Sequence, residues 1–517
     1  MKYFAFLLSA LLLTSCGKSV DKNSLEGRVA SFITLQDGVF TAISMDLKNV
    51  IDKSGIKEGA IPEQYLSTIT PYMDALTKSI NLEKQIYLMP DPKNSKSERS
   101  DFVLMFEVGD LSSLKKEIKE IGISLKKKGS LEYGLKSGMA FGIYKGETGF
   151  FVFKEKGSIA ENTLIEFGEN MGKGKTIDGV VDFVTTKSDV VAFYTGDKMS
   201  NLNLGDYVPE LKALDGKKTN LYEGTYWLAK MDFNDQDALM EVDINIGKNL
   251  KKYAPFLRSS LSDESKNILI DENTVIAFAL NANMERLIAL FFDQLDDKTK
   301  DEMNKQLSML GGTEKFKQLL TGEFAFAMSA DKEPLFTAFI GIGDQKQVQS
   351  LLDGLGFFLG IKKNGEVYDM DGAQMMFTDK GLVYAANADM MSKMKAKKSQ
   401  KLRDLGGFKF GASPMSLFIN FKAMVNLEDA EDFKEIYKAF DFMYLEMSDK
   451  GGKGLIRSTK KGQNILRTLI ESFIEMQRID EIREAERQAM YDEMWGDDWS
   501  DDDWDEFYGS EDWDDTW

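Results

Sequence analysis

The chain has 517 residues, with 65 basic and 84 acidic side chains, a formal net charge of −19, no histidine and a single cysteine. Without histidine there can be no histidine triad, histidine metal site or histidine acid/base step, and one cysteine cannot form an intramolecular disulfide. Length points to two or more domains at roughly 150 residues each, and 43% hydrophobic content is ordinary for a globular chain.

In chain order, the first element is a leader. Lys2 supplies a positive start and Phe4 to Leu13 an apolar run, shorter than the ~20 residues that a membrane-spanning helix needs. Leu13-Thr14-Ser15-Cys16 fits the site read by lipoprotein signal peptidase, where lipidation is made on sulfur, and Cys16 is the only thiol. Residues 1–15 are therefore expected to be a signal peptide and 16–36 a lipidated cysteine with its tether. That places the protein in the cell envelope, anchored to a membrane. No aspartate follows Cys16 to hold it at the inner membrane, which favours the outer one.

The body reads as a duplication. Residues 101–123 align without gaps on 335–357, with Gly109-Asp110 over Gly343-Asp344 and Gly122 over Gly356. Each stretch predicts a strand, then a Gly-Asp turn, then an amphipathic helix that the turn's aspartate caps and that ends at glycine. Downstream, both regions predict three short strands with turns such as Lys145-Gly146 and Asp371-Gly372. The expected class is α+β: two homologous tandem copies of largely antiparallel sheet with packed helices, at 37–256 and 272–476, joined by a linker at 257–271. Copy one carries about twenty extra residues near Lys198–Lys218. A helix from Asn464 to Trp495 comes next, its charged extension at 477–494. The acidic tail at 495–517 is expected to be disordered. From Asp480 onward there are 17 acidic and 2 basic residues, so the tail region carries most of the net charge.

Candidate chemistry is sparse. GENMGKGKT at 168–176 lacks the phosphate-loop spacing, because Glu169 stands where glycine is required. Asp369, Asp371 and Gly372 begin like a calcium loop but fit a hairpin turn better. In the tail Asp501, Asp503 and Asp505 alternate, yet Glu506 replaces the needed glycine; only weak calcium association by many carboxylates is expected. Ser-x-x-Lys at 113–116 and 124–127 reads as solvated helix surface, and no G-x-S-x-G elbow is present. The basic clusters Lys126–Lys128 and Lys395–Lys398 lack interleaved aromatics, which argues against nucleic acid. No catalytic residue, cofactor or specific metal site is expected. The tail is different: Trp495, Trp499, Trp504, Trp513 and Trp517 are five of the six tryptophans, spaced among aspartates. Large apolar anchors with long-range charge suit the capture of a basic groove on an envelope partner protein.

TAISMDLKNVIDKSG at 41–55, the Gly109-Asp110 turn with its helix, and the Gly-x-Asn-(x)-Leu segments at 247–250 and 462–466 carry a resemblance. With the lipobox, this duplicated strand-helix plan resembles a Bacteroidota lipoprotein family defined by a domain of unknown function. The resemblance covers most of 37–476, excludes the Trp/Asp tail, and implies no catalytic residue or ligand. The expected function is a non-enzymatic interaction or scaffolding module whose acidic aromatic tail binds a partner. The alternative is a lipoprotein holding a glycan, peptide or lipid between the two copies.

Overall fold

The computed structural model describes residues 20–35, 41–59, 61–62, 77–90, 102–136, 138–154, 159, 161–174, 177–196, 220–258, 260–308, 312–330, 335–396, 407–427 and 433–495. The fold is mixed α+β, built on one 20-stranded sheet. In the first half the strands are β1 (Thr41–Met45), β2 (Ile86–Pro90), β3 (Phe102–Glu107), β4 (Lys126–Lys128), β5 (Leu131–Lys136), β6 (Met139–Tyr144), β7 (Thr148–Phe153), β8 (Val190–Thr195), β9 (Tyr226–Phe233) and β10 (Asp237–Asn245). The second half contributes β11 (Thr274–Asn281), β12 (Leu320–Ser329), β13 (Leu335–Ile342), β14 (Lys362–Asn364), β15 (Val367–Met370), β16 (Ala373–Phe377), β17 (Gly381–Ala385), β18 (Met415–Asn420), β19 (Phe440–Ser448) and β20 (Gly451–Ser458).

Every pairing is antiparallel. The first half runs β4-β5-β6-β7-β3-β2-β1-β8-β9-β10 across the sheet. The second runs β14-β15-β16-β17-β13-β12-β11-β18-β19-β20, the same order. β10 pairs with β20 and closes the two halves into one sheet, in register from Asp237↔Arg457 to Asp243↔Gly451. At that seam Arg457 forks onto Asp237, Nε to Oδ1 at 2.8 Å and Nη2 to Oδ2 at 3.0 Å. A Cβ on Gly451, whose φ is 127°, would lie 1.9 Å from the Val242 carbonyl oxygen, so the close approach of the strands requires glycine there.

The two outer edges are β4 and β14, three residues each, reading Lys-Lys-Lys and Lys-Lys-Asn and fully exposed. Short, lysine-bearing edges resist pairing with another chain. This gives the Lys126–Lys128 cluster a structural role.

One face of the sheet carries the main cores. In the first half the helices Leu25–Leu35, Glu161–Asn170 and Asp178–Thr185 bury Val29, Phe32, Phe167 and Phe183 against Tyr87, Val103, Phe150 and Phe193. In the second, Leu261, Ile268–Ile270 and the helix Ala388–Lys395 pack on Ala277, Phe339, Phe418 and Tyr444. Two expectations are corrected here. The tether is shorter than 16–36, because Leu25–Leu35 is a helix in the first core, with buried Arg28 donating to Thr148 at 2.7 Å and pairing with Glu147. The segment 257–271 is no free linker, since Leu261 and Ile268–Ile270 belong to the second core.

The turn chemistry matches the sequence closely. Asp110 and Asp344 cap their helices, accepting from Ser113 N and Gln347 N. The second helix runs past Gly356 to Leu359 and stops at Gly360, with φ 68°. Asp371 and Gly372 both have positive φ in a two-residue hairpin turn.

The C-terminal helix, Ile465–Trp495, lies across the seam. Its Ile465 and Leu469 pack on Phe233, Ala238, Phe440 and Ile456 from both halves, and Arg467 Nη1 reaches Glu58 Oε2 at 2.8 Å. Glu471 accepts from Lys460 (2.7 Å), Gln463 (2.8 Å) and Arg467 (2.9 Å). Burial by itself would raise the pKa of Glu471, but hydrogen bonds from Lys460, Arg467 and Gln463 outweigh it and hold the carboxyl at about 2. A depressed folded pKa adds stability that is complete above the ordinary value of 4.5 and is lost as pH falls through about 2. In urea unfolding, the midpoint of the native protein should therefore drop more between these pH values than that of Glu471→Gln. Parallel declines would remove Glu471 from the acid response.

Candidate functional site

In an antiparallel sheet with one covered face, the other face is normally polar. Here it is apolar as well. Side chains alternate along each strand, buried toward the helices and half-buried or exposed on the opposite face. Following the register on that open face, Ile86, Met45, Val190, Met231, Met240 and Gly454 lie side by side. The row continues through Leu445, Leu417, Phe278, Phe326, Ala338 and Tyr384. It crosses twelve strands and the seam without meeting a charge. The neighbouring positions Ile43, Phe336 and Ile340 are 37–38% exposed and Trp227 is 50% exposed. Helices reach this face near the sheet's margins. Leu111–Glu120 seals Phe106, Phe141 and Ile143, and the C-terminal helix seals Phe233 and Ala238.

The first half hollows this face into a concavity of about 640 Å³, lined by Thr41, Ile43, Leu88, Pro90, Phe102, Ala192, Tyr194, Trp227, Ala229 and Val242 among others. The floor is low because Ala192 and Ala229 sit opposite each other on β8 and β9. At one end Tyr194 stacks on Trp227, ring centroids 5.3 Å apart and 27° between planes. Burial, with Tyr222 nearby, raises the Tyr194 hydroxyl above its ordinary pKa, so the phenol stays neutral at physiological pH. The lining holds no carboxylate, lysine or arginine. The arrangement can solvate an apolar group, and the polar side-chain groups in its lining are the Thr41 and Tyr194 hydroxyls and the Trp227 indole.

A second, polar hollow of about 940 Å³ lies by Arg258, Glu285, Lys317, Asp344, Lys346 and Asp379. Its charges are of mixed sign, with no side chain poised as a nucleophile beside a base. Ser113 of the first Ser-x-x-Lys donates to Asp110 at 2.8 Å, and Lys115 and Lys116 pair with Glu132 and Glu120, so that serine has no lysine base. Gly168 of the glycine-lysine stretch is inside a helix against Leu131. Among the described residues no group of three or more histidine, cysteine, aspartate or glutamate side chains is gathered for a metal. No described helix is long and apolar enough to cross a membrane.

The residues singled out from sequence fall elsewhere. Cys16 lies outside the described residues, as do Trp499, Trp504, Trp513 and Trp517; Trp495 is the last residue of the C-terminal helix. The open face was not foreseen. Its signal was present in strands such as FAFAM and LFTAFI, apolar at both alternations, but such runs read simply as buried on both sides.

No protein-family model matches the chain, and no characterised protein matches it in sequence. Among solved structures it is similar to two crystal forms of TP0453. Form III is 10% identical, covers 45% of this chain and 88% of that one, and has a TM-score of 0.28. Form I is 9% identical, covers 73% and 98%, and has a TM-score of 0.23. Likenesses this distant carry no argument about function.

The two faces should respond differently to truncation. Trp227→Ala, removing a half-exposed ring, is expected to cost no more than about 1 kcal/mol in chemical denaturation. Phe193→Ala, on the adjoining strand but facing the core, should cost about 3–5 kcal/mol. Comparable losses would mean that the open face is itself core.

Proposed function

We propose that this is a lipid-anchored, non-enzymatic protein of the bacterial cell envelope that works by binding. Its binding surface is the open apolar face of the sheet. What carries the reading is the uncharged row of side chains that crosses both halves while remaining half-exposed. Apolar area left in water forgoes roughly 25 cal/mol for each Å², and contiguous patches of this kind mark interaction surfaces. The same row moves the expected ligand position. Between the halves β10 and β20 are hydrogen-bonded edge to edge under the C-terminal helix, which leaves the concavity of the first half as the place for an apolar ligand.

We read the halves as copies of one ancestral unit. The common strand order, the matching Asp110 and Asp344 caps and the matching lysine edges support this. Joined through equivalent strands, they leave no long edge free among the described strands.

An environment-sensitive hydrophobic dye tests the surface. Ile43→Asp and Phe324→Asp, one in each half, should each lower bound-dye emission by about half or more with far-UV circular dichroism unchanged. Undiminished emission from both would sink the proposal.

The sequence supplies two further elements. Lipidation at Cys16 would hold the protein at a membrane, most naturally the outer one. The tail with Trp495, Trp499, Trp504, Trp513 and Trp517 would engage a basic partner protein, with weak calcium association by its carboxylates. Cys16→Ser should move the protein from the membrane to the soluble fraction. Deleting 495–517 should remove a protein from an envelope-extract pull-down, and an unchanged set of partners would exclude the tail from binding.

A further inference from the structure

We propose that the concavity of the first half holds a single aliphatic chain of a monomeric amphiphile, its polar head outward at Trp227 and its tail directed toward the C-terminal helix. This rests on the open face being the binding surface and names what occupies one part of it. The polarity of the trough changes along the strands in the sense that an amphiphile requires. Thr41, Tyr194 and Trp227 are register partners on β1, β8 and β9; beside the apolar Pro90 and Phe102 at the same end, their two hydroxyls and the indole are the polar side-chain groups of the lining. Two residues along, the next row is Ile43, Ala192, Ala229 and Val242, wholly apolar, with the two alanines forming a floor between larger neighbours. Two further on, past the lining of the concavity itself, the open face continues with Met45, Val190, Met231 and Met240. From the Tyr194 row to the Val190 row is about 14 Å at the usual strand rise. Beyond that, Phe233 and Ala238 pack on Ile465 and Leu469, so among the described residues the C-terminal helix bounds this end of the apolar face.

The same features disfavour a peptide. β1, β8 and β9 are each flanked by strands on both sides, so their backbone groups are committed to the sheet and offer no edge for strand addition. A peptide's amides would lose water over the alanine floor with no polar partner to replace it. A hydrocarbon has no such requirement. The volume, about 640 Å³, falls within the ~300–1,000 Å³ of small-molecule sites. Stacked and half-exposed, Tyr194 and Trp227 are amphipathic rings of the kind found where an apolar region meets water. With no lysine or arginine in the lining, recognition depends on the chain, and the head remains in solvent.

Trp227 is the one tryptophan outside the tail, which makes it a reporter. In the full-length protein, Trp495→Phe, Trp499→Phe, Trp504→Phe, Trp513→Phe and Trp517→Phe leave its emission alone. The probe is hexadecanoic acid, brominated either close to its carboxyl end or at its methyl end and titrated as monomer. Saturable quenching is expected, about twofold or more stronger for the carboxyl-proximal bromine because the head lies at Trp227. Ala229→Phe, which fills the floor, should weaken the affinity by about tenfold or more, and Ala192→Leu provides a second filled trough should the first variant fold poorly. Absence of saturable quenching overturns the proposal. If dye binding to the open face persists in that case, the broader binding surface still stands. Stronger quenching from the methyl-end bromine overturns the assigned orientation. Quenching by vesicles of brominated phosphatidylcholine but not by the monomeric acid would mean that the face lies on a bilayer and captures no free chain, and it would also overturn the proposal.

Discussion

The pairing of β10 with β20 is the constraint on which the rest of the structure depends. Two ten-stranded sheets, each with an exposed long edge, would present unpaired backbone donors and acceptors to any other chain. Pairing those edges satisfies both at once and leaves, among the described strands, the three-residue lysine strands β4 and β14 as the free margins. The seam is specified locally by the Asp237–Arg457 fork and by glycine at 451, where a side chain would collide with the opposing backbone. It is braced from above by the C-terminal helix, which packs on residues of both halves and reaches Glu58 through Arg467.

Because the seam is a sheet pairing, it carries more than stability. Antiparallel register preserves the alternation of side chains from one half to the next, so the face that is apolar on β9 and β10 remains apolar on β20 and β19. A one-residue slip would send Arg457, Lys453 and Glu446 onto the open face and bring Leu445 and Met443 to the helix side. The continuous apolar surface is thus a consequence of register. Three described helices lie on one face of the first half, while on the other Leu111–Glu120 and the C-terminal helix cover only Phe106, Phe141, Ile143, Phe233 and Ala238, so among the described residues the rest of this surface is left uncovered.

The charged side chains lie outside the concavity of the first half. Charged groups are spent on the seam, the helix caps and the sheet edges, while the concavity is left neutral. Glu471, held ionised by three donors, secures a helix rather than a reaction. The strongly acidic end lies far along the chain from this face in sequence, and under the proposed function its tryptophans would be a second, chemically different way to bind. An anchor at one end and a binding segment at the other would leave the apolar sheet as the working body between them.

Local physical chemistry was legible in the sequence. Asp-capped helices at Asp110 and Asp344, the Asp371-Gly372 hairpin, the antiparallel α+β class and the helix ending at Trp495 all arise from rules that act over a few residues. The lipobox reading of Leu13–Cys16 and the partner reading of the tryptophan-aspartate tail also come from the chain alone and concern segments outside the described residues, apart from Trp495. What tertiary structure decided was non-local. Residues 25–35 read as tether because their burial depends on β3 and on the Asp178–Thr185 helix, distant in sequence; the segment 257–271 read as linker for a similar reason. The concavity was invisible because alternating apolar residues announce only that a strand could be covered on both faces. Whether a helix arrives to cover the second face is settled by packing across the whole sheet, and among the described residues none lies over Ala192 and Ala229.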